Sequence, residues 1–276
     1  MNESIRSIIT MDEVIVPIEP ERLVGIDIQQ YINSLLDEGY ALTTIKKQFN
    51  LISGYIRFVN VEGIIAKPLY NAVKLPSQAL VHKPKRQVVA YTEQEQARLK
   101  AELSTRTHIG HAIIAFMLNT GLRVGEVLAL RQEDISWQRK AITVRRTLVR
   151  LANPKEAFVQ NSAKSYASNR TIPLNDEAWH ILSDLPRTHA YVFGANESQP
   201  FSYEALRGQV KTVCKAAKVP YYGFHVFRHT FATNCYHRGC DVKVLSKLLG
   251  HGSVAVTYNT YIHLYGDALE AMRAVI

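Results

Sequence analysis

The sequence predicts a mainly helical protein with a small antiparallel β-sheet, arranged as two domains joined by a basic linker. Three observations carry that expectation. Apolar residues recur at helical spacing near the N-terminus, and prolines and basic residues crowd together between residues 67 and 87. Two β-branched stretches then stand between helical segments further along the chain.

The first helix is expected over Ile28–Glu38, where Ile28, Tyr31, Ile32, Leu35 and Leu36 share a face and Gly39 supplies a stop. A second begins near Thr43 or Thr44 and runs towards Asn60, with Ile45, Phe49, Ile52, Ile56 and Val59 as its apolar stripe. Lys46, Lys47 and Arg57 lie off that stripe, where basic side chains either face solvent or follow a phosphate backbone. Pro68, Pro76 and Pro84 break the pattern, and His82-Lys83-Pro84-Lys85-Arg86 closes the stretch with charge. The expected division is therefore a helical domain over 1–80, a basic linker over 81–91 and a larger domain over 92–276.

Thr92-Glu93-Gln94-Glu95 opens the larger domain with a capping-box pattern. His111–Asn119 and Gly125–Leu130 read as helices parted by Thr120-Gly121. Ala141–Val149 and Arg170–Leu174 read as strands of one small sheet, and helices dominate from Asp176 onward.

With 33 Lys+Arg against 24 Asp+Glu, the net charge of +9 favours a polyanionic partner, nucleic acid first among them. No uncharged apolar run is long enough to span a bilayer, so no membrane partner is expected. MNESIRSIITMDEVIV lacks the basic start and apolar block of a signal peptide, which makes the cytoplasm the expected compartment. Cys214, Cys235 and Cys240 show no paired spacing, and with His225 and His229 they fit no common zinc pattern. Buried thiols are expected, with no metal and no cofactor.

Several short stretches carry possible chemistry. In NTGLRVGEVLALR, Arg123 and Glu126 are three apart and pair if the segment is helical. In AKSYASNRTIPL, Lys164 precedes a turn-rich stretch and a strand, so a hairpin would hold it at the tip. In GFHVFRHTF, His225 and Arg228 share one helical face, and His229, one step further round, reads as a structural or supporting histidine. His251 follows Leu249-Gly250, and Tyr258 and Tyr261 come soon after.

In this order and spacing the stretches resemble the tyrosine recombinases, the phage-integrase family, over residues 92–265. The resemblance implies an N-terminal core-binding domain and a C-terminal catalytic domain that together clamp DNA. It maps the family's TGLR-x-x-E onto Arg123 and Glu126, its hairpin lysine onto Lys164 and its H-x-x-R onto His225 and Arg228. It maps LGH onto His251 and the nucleophile onto Tyr261, ten residues later and followed by Ile262-His263. Tyr258, only seven residues after His251, is assigned to packing. Relatives often read Lys-Thr where this chain has Lys164-Ser165, with Arg170 and Lys155 nearby, and many carry leucine where Phe227 stands.

What the resemblance implies chemically is attack by a phenolate on a DNA phosphodiester, giving a 3′-phosphotyrosyl link and a free 5′-hydroxyl. Arg123 and Arg228 would neutralise the crowded phosphate, and Lys164 would protonate the leaving oxygen. His225 and His251 would add proton transfer or hydrogen bonds, and Glu126 would orient Arg123 or His225. Lys46, Lys47, Arg57, Lys83, Lys85 and Arg86 are the candidate DNA contacts. The implied partners are double-stranded DNA at a specific recombination site and further copies of the chain in a synaptic tetramer, with room for a directionality or bending factor. A stripe of Ala268, Leu269, Met272, Val275 and Ile276 behind Asp267 suggests a tail helix that docks on a neighbour or on its own domain. Integration and excision of a mobile element is the first expected role and Xer-like dimer resolution the second. A type IB topoisomerase and a repressor are the rivals.

Overall fold

The computed structural model describes residues 25–63, 71, 73–77, 80, 88–105, 108–150, 157–161 and 169–261. The chain divides into two compact units, Met1–Arg86 and Gln87–Ile276. Lys83, Lys85, Arg86, Lys164 and the tail from Asp267 lie outside the described residues.

The first unit is built on helix α1 (Gly25–Asp37) and helix α2 (Leu42–Val61), each slightly longer than its apolar stripe suggests. Ile28, Ile56 and Val59 form one buried cluster, and Ile32, Leu35 and Ile45 another, with Phe49 packed against both. Gly39 at φ +73° ends α1 in the left-handed region, which glycine enters at no steric cost. Gln29 ties the following segment to α1, since its side chain accepts from the Lys74 N–H at 2.7 Å and donates to the Lys74 carbonyl at 3.1 Å. Lys46, Lys47 and Arg57 are exposed on α2.

In the second unit, helix α3 (Glu93–Ser104) starts on the capping box read from the sequence. The Glu95 N–H donates to Thr92 Oγ1 at 3.3 Å, and the Thr92 N–H donates to the Glu95 carboxylate at 2.8 Å. Helix α4 (Ile109–Thr120) is apolar almost all round and runs through the core, with Ile113, Ile114, Phe116 and Met117 fully buried. Burying one such side chain stabilises by about 1.5–3 kcal/mol, whereas an exposed ion pair contributes about 0–1 kcal/mol. The scaffold therefore rests on this core. Helix α5 (Val124–Leu128) follows, ending two residues earlier than expected. A Cβ on Gly125 would meet Thr147 Oγ1 at 2.6 Å and the Leu148 carbonyl at 2.7 Å.

Among the described residues the expected single sheet is corrected to two. Strands β1 (Ile135–Ser136), β2 (Ala141–Val144) and β5 (Arg170–Pro173) form an antiparallel sheet in the order β1-β2-β5, with Val144 opposite Arg170. Strands β3 (Arg146–Arg150) and β4 (Ala157–Asn161) form a separate hairpin. The expected single strand Ala141–Val149 is thus broken at Arg145. The carboxylate of Asp134 explains the break, because it is buried and accepts from Arg146 Nη1 at 2.9 Å and the Arg131 N–H at 3.0 Å. Lys164 falls between β4 and β5, and β5 pairs with β2 across the sheet, so these two strands do not form a hairpin around it.

Beyond the sheets come α6 (Asp176–Ser183), α7 (Tyr203–Ala216), α8 (His225–His237), α9 (Val242–Leu249) and α10 (Val254–Tyr261). Among the described residues no helix is long and apolar enough to cross a membrane, and no group of three or more His, Cys, Asp or Glu side chains is placed to hold a metal ion. All three cysteines are free thiols, with Cys214 buried.

Candidate active site

Helix α9 begins on Asp241, whose side chain accepts the N–H groups of Lys243 and Val244 at 2.9 and 3.0 Å. Its other end is a Schellman turn. The Gly250 N–H donates to the Lys247 carbonyl, the His251 N–H donates to the Ser246 carbonyl, both at 3.1 Å, and Gly250 takes φ +67°. Such an ending leaves the next carbonyls without helical partners. Three arginines from three different elements fill them. Arg170 Nε donates to the Leu248 carbonyl at 2.7 Å, Arg228 Nη2 to Leu249 at 2.6 Å, and Arg123 Nη2 reaches Gly250 at 3.5 Å. The negative end of a helix dipole favours this gathering of cations.

Arg228 also bridges to a second helix end. Its Nη1 donates to the carbonyl of Gly121 at 3.0 Å, the residue that closes α4 at φ +65°. Gly121 has no substitute here, because a Cβ would sit 2.3 Å from the Phe231 ring, one turn of α8 beyond Arg228. The side chain of Arg228 is buried, so its two carbonyls fix the guanidinium in place.

Arg123 precedes the first turn of α5 and is 40% exposed, while Glu126 on that turn is 7% exposed. The Glu126 carboxylate accepts the Arg123 N–H at 2.9 Å and Arg123 Nη1 at 2.9 Å. It also accepts Arg170 Nη1 at 3.0 Å and Nη2 at 2.8 Å. Burial alone would raise the Glu126 pKa, but Arg170 first and Arg123 second outweigh it and hold the carboxyl below the usual range.

Both histidines of the motifs stand in the same positive field. Partial burial, then the charges of Arg228 and Arg123, lower the pKa of His225. The same causes, joined by Arg170, push His251 down to about 4. Each is thus neutral near pH 7. His251 Nδ1 shares a 2.7 Å hydrogen bond with Thr257 Oγ1, and Thr257 is buried on α10. The helix that ends at Tyr261 is in this way tied to His251 one turn before its last residue.

The structure brings together Arg123, Glu126, His225, Arg228 and His251 from three separate stretches. Tyr261 closes α10, and its side chain, like all of Lys164, lies outside the described residues. Tyr258 is corrected. Assigned to packing, it is 47% exposed, because α10 turns Thr257 inward and the next position outward. His229 lies with its ring 6.3 Å from that of His225 and contributes to the field around His251. Sequence reasoning gave no role to Arg170 or Thr257. Arg170 offered one signal: an arginine opening a strand that is otherwise half apolar.

A helical scaffold that turns guanidiniums and neutral imidazoles towards one place suits an anion that gains charge as it reacts. The sequence profile described as the phage integrase family matches residues 81–267. The chain belongs to that family, the tyrosine recombinases. It is 27% identical over 264 residues to an XerC-like tyrosine recombinase of Caldanaerobacter subterraneus subsp. tengcongensis, a match spanning 87% of this chain and 67% of that protein. It is 32% identical over 164 residues to transposase A of transposon Tn554 from Staphylococcus aureus, spanning 55% of this chain and 43% of the transposase. The fold resembles that of the Tn1549 transposon integrase, solved in complex with a circular intermediate DNA. The TM-score is 0.73 at 19% identity, covering 93% of this chain and 86% of that one.

Proposed function

We propose that this chain is a site-specific DNA recombinase that cleaves and rejoins duplex DNA through a 3′-phosphotyrosyl intermediate, with Tyr261 as nucleophile. The observation that carries the reading is the arginine cradle at the end of α9, since Arg123 and Arg228 are held by consecutive carbonyls immediately before His251. The phenolate oxygen of Tyr261 attacks phosphorus, the P–O5′ bond breaks, and the leaving oxygen takes a proton from Lys164. Arg123 and Arg228 stabilise the charge on the non-bridging oxygens, and losing one such donor costs on the order of 10²–10³ in rate. His225, neutral at pH 7, accepts the phenolic proton or bonds the phosphate, and His251 donates a further hydrogen bond. Glu126 orients Arg123.

Because the phosphotyrosine keeps the energy of the broken bond, a second 5′-hydroxyl reverses the step without a nucleotide cofactor. Strand exchange between two duplexes then calls for four copies of the chain on DNA, with a directionality or bending factor as an added partner. The two units clamp the duplex, with Lys46, Lys47, Arg57, Lys83, Lys85 and Arg86 along the phosphates. The chain works in the cytoplasm at the nucleoid.

Integration and excision of a mobile element is the role we infer, supported by the resemblance to the Tn554 transposase. An Xer-like role is the second reading, supported by the longer match to the XerC-like recombinase. The test is a supercoiled plasmid carrying two copies of the DNA that flanks the gene. A recombinase gives resolved or inverted products only when both copies are present. Relaxation of a plasmid lacking the sites would point to a topoisomerase, and binding without any change of topology to a repressor.

A further inference from the structure

The member of the cradle without an assigned task is Arg170. Its side chain is only 7% exposed. Three of its N–H groups are directed inward, two onto Glu126 and one onto the Leu248 carbonyl. Its guanidinium also occupies the space beside Gly250, where a Cβ would meet Nη1 at 2.8 Å and Cζ at 2.9 Å.

We propose that Arg170 is a positioning residue for strand cleavage, cancelling the charge of Glu126 and pinning the Gly250 turn on which Arg123 and Arg228 rest. The inference rests on the recombinase reading above and adds a residue to it. Glu126 faces two guanidiniums with one negative charge. With Arg170 in place, Arg123 is held by Glu126 yet keeps its positive charge for the phosphate. Without Arg170 the Arg123–Glu126 pair is neutral, and the site loses field where charge develops. The turn loses its anchor in the same stroke, because the Leu248 carbonyl and the Gly250 backbone both lie against that guanidinium. Lysine is a poor replacement, since one ammonium cannot meet a carboxylate and a carbonyl with the planar fork that arginine presents. Arg170 also opens β5, so it ties that strand to the cradle.

The test is single-turnover cleavage, with enzyme in excess, of a nicked duplex carrying the DNA that flanks the gene. The rate constant reports the site and the amplitude reports the folded fraction. For Arg170→Met we expect a rate constant lower by about 10²-fold, with amplitude and DNA affinity close to wild type. Arg170→Lys should remain well below wild type. Adding Glu126→Gln to Arg170→Met should raise the rate about tenfold over the single variant, since a neutral amide returns the charge of Arg123. A wild-type rate constant with a reduced amplitude would make Arg170 a folding residue only and overturn the proposal. So would a double variant no faster than Arg170→Met, or loss of folded protein in all the variants. A wild-type chain that binds the duplex and never cleaves it would instead overturn the recombinase reading itself, and the role of Arg170 with it.

Discussion

Arg170 and Glu126 meet through two parallel hydrogen bonds, at 3.0 and 2.8 Å, with both side chains 7% exposed. The pair joins strand β5 to helix α5 beneath the exposed Arg123. Burying two charges is costly, and the pair is sustained by the further bonds each partner makes, to Leu248 from one side and to Arg123 from the other.

Breaking the pair should therefore destabilise the second unit strongly. Glu126→Ala leaves Arg170 buried without its carboxylate and is expected to cost about 3–5 kcal/mol. Thermal denaturation measures this, with Lys100→Ala as the control. The exposed Lys100–Glu177 pair should contribute no more than about 1 kcal/mol.

Gly250 and Gly239 share a left-handed backbone but not their surroundings. At Gly239, φ +80°, an added Cβ meets nothing within 4 Å, so Gly239→Ala should carry only the left-handed strain of about 1–2 kcal/mol. Gly250→Ala carries the same strain and also drives into Arg170. We expect it to lose more stability than Gly239→Ala and to lose cleavage, which melting curves and adduct formation on the two variants will compare. Equal effects would detach the turn from the arginines.

How much of this was legible beforehand follows from where the partners lie in the chain. Arg123 with Glu126, and His225 with Arg228, sit three apart, so local helix geometry was enough to see that each pair shares a face. Gly250 before His251 signalled a helix end. Arg170 was opaque because its partners stand 44 and 78 residues away, and an arginine at the start of RTIP reads as the solvent face of a strand. The break at Arg145 was hidden for a related reason. ITVRRTLV is rich in β-branched residues on both sides of the break, and the carboxylates that hold Arg146, on Asp134 and Glu133, lie outside that stretch. AFVQN pairs backwards with RTLVR and leaves β5 to β2, while Lys164, expected at a hairpin tip, lies outside the described residues.

Acid should weaken the fold over a defined range. A histidine whose pKa is lowered on folding takes up a proton in the unfolded chain first, so stability falls as pH drops below the ordinary histidine value of about 6.5 and continues to fall towards 4. Glu126 acts in the same direction lower down. Its folded pKa is depressed, so its contribution is full above the ordinary carboxylate range and drains away below it. Melting temperature measured between pH 7 and 4 should decline, and His251→Asn should flatten the upper part of that decline. An unchanged slope in His251→Asn would mean that His251 is not held neutral.

Lys46, Lys47 and Arg57, exposed on α2, are expected to act on DNA through charge alone. Replacing any one of them by alanine should weaken binding to all sequences alike and reduce the slope of log K against log salt by about 1. Titrations at several salt concentrations read this directly. A changed sequence preference with the slope intact would instead indicate a base contact.

The most direct measurement is a denaturing gel of wild type, Tyr261→Phe and Tyr258→Phe after incubation with nicked duplex from the DNA flanking the gene. A covalent protein–DNA band from wild type and Tyr258→Phe, absent from Tyr261→Phe, is the predicted result. Loss of the band in Tyr258→Phe alone, or its persistence in Tyr261→Phe, would contradict the account.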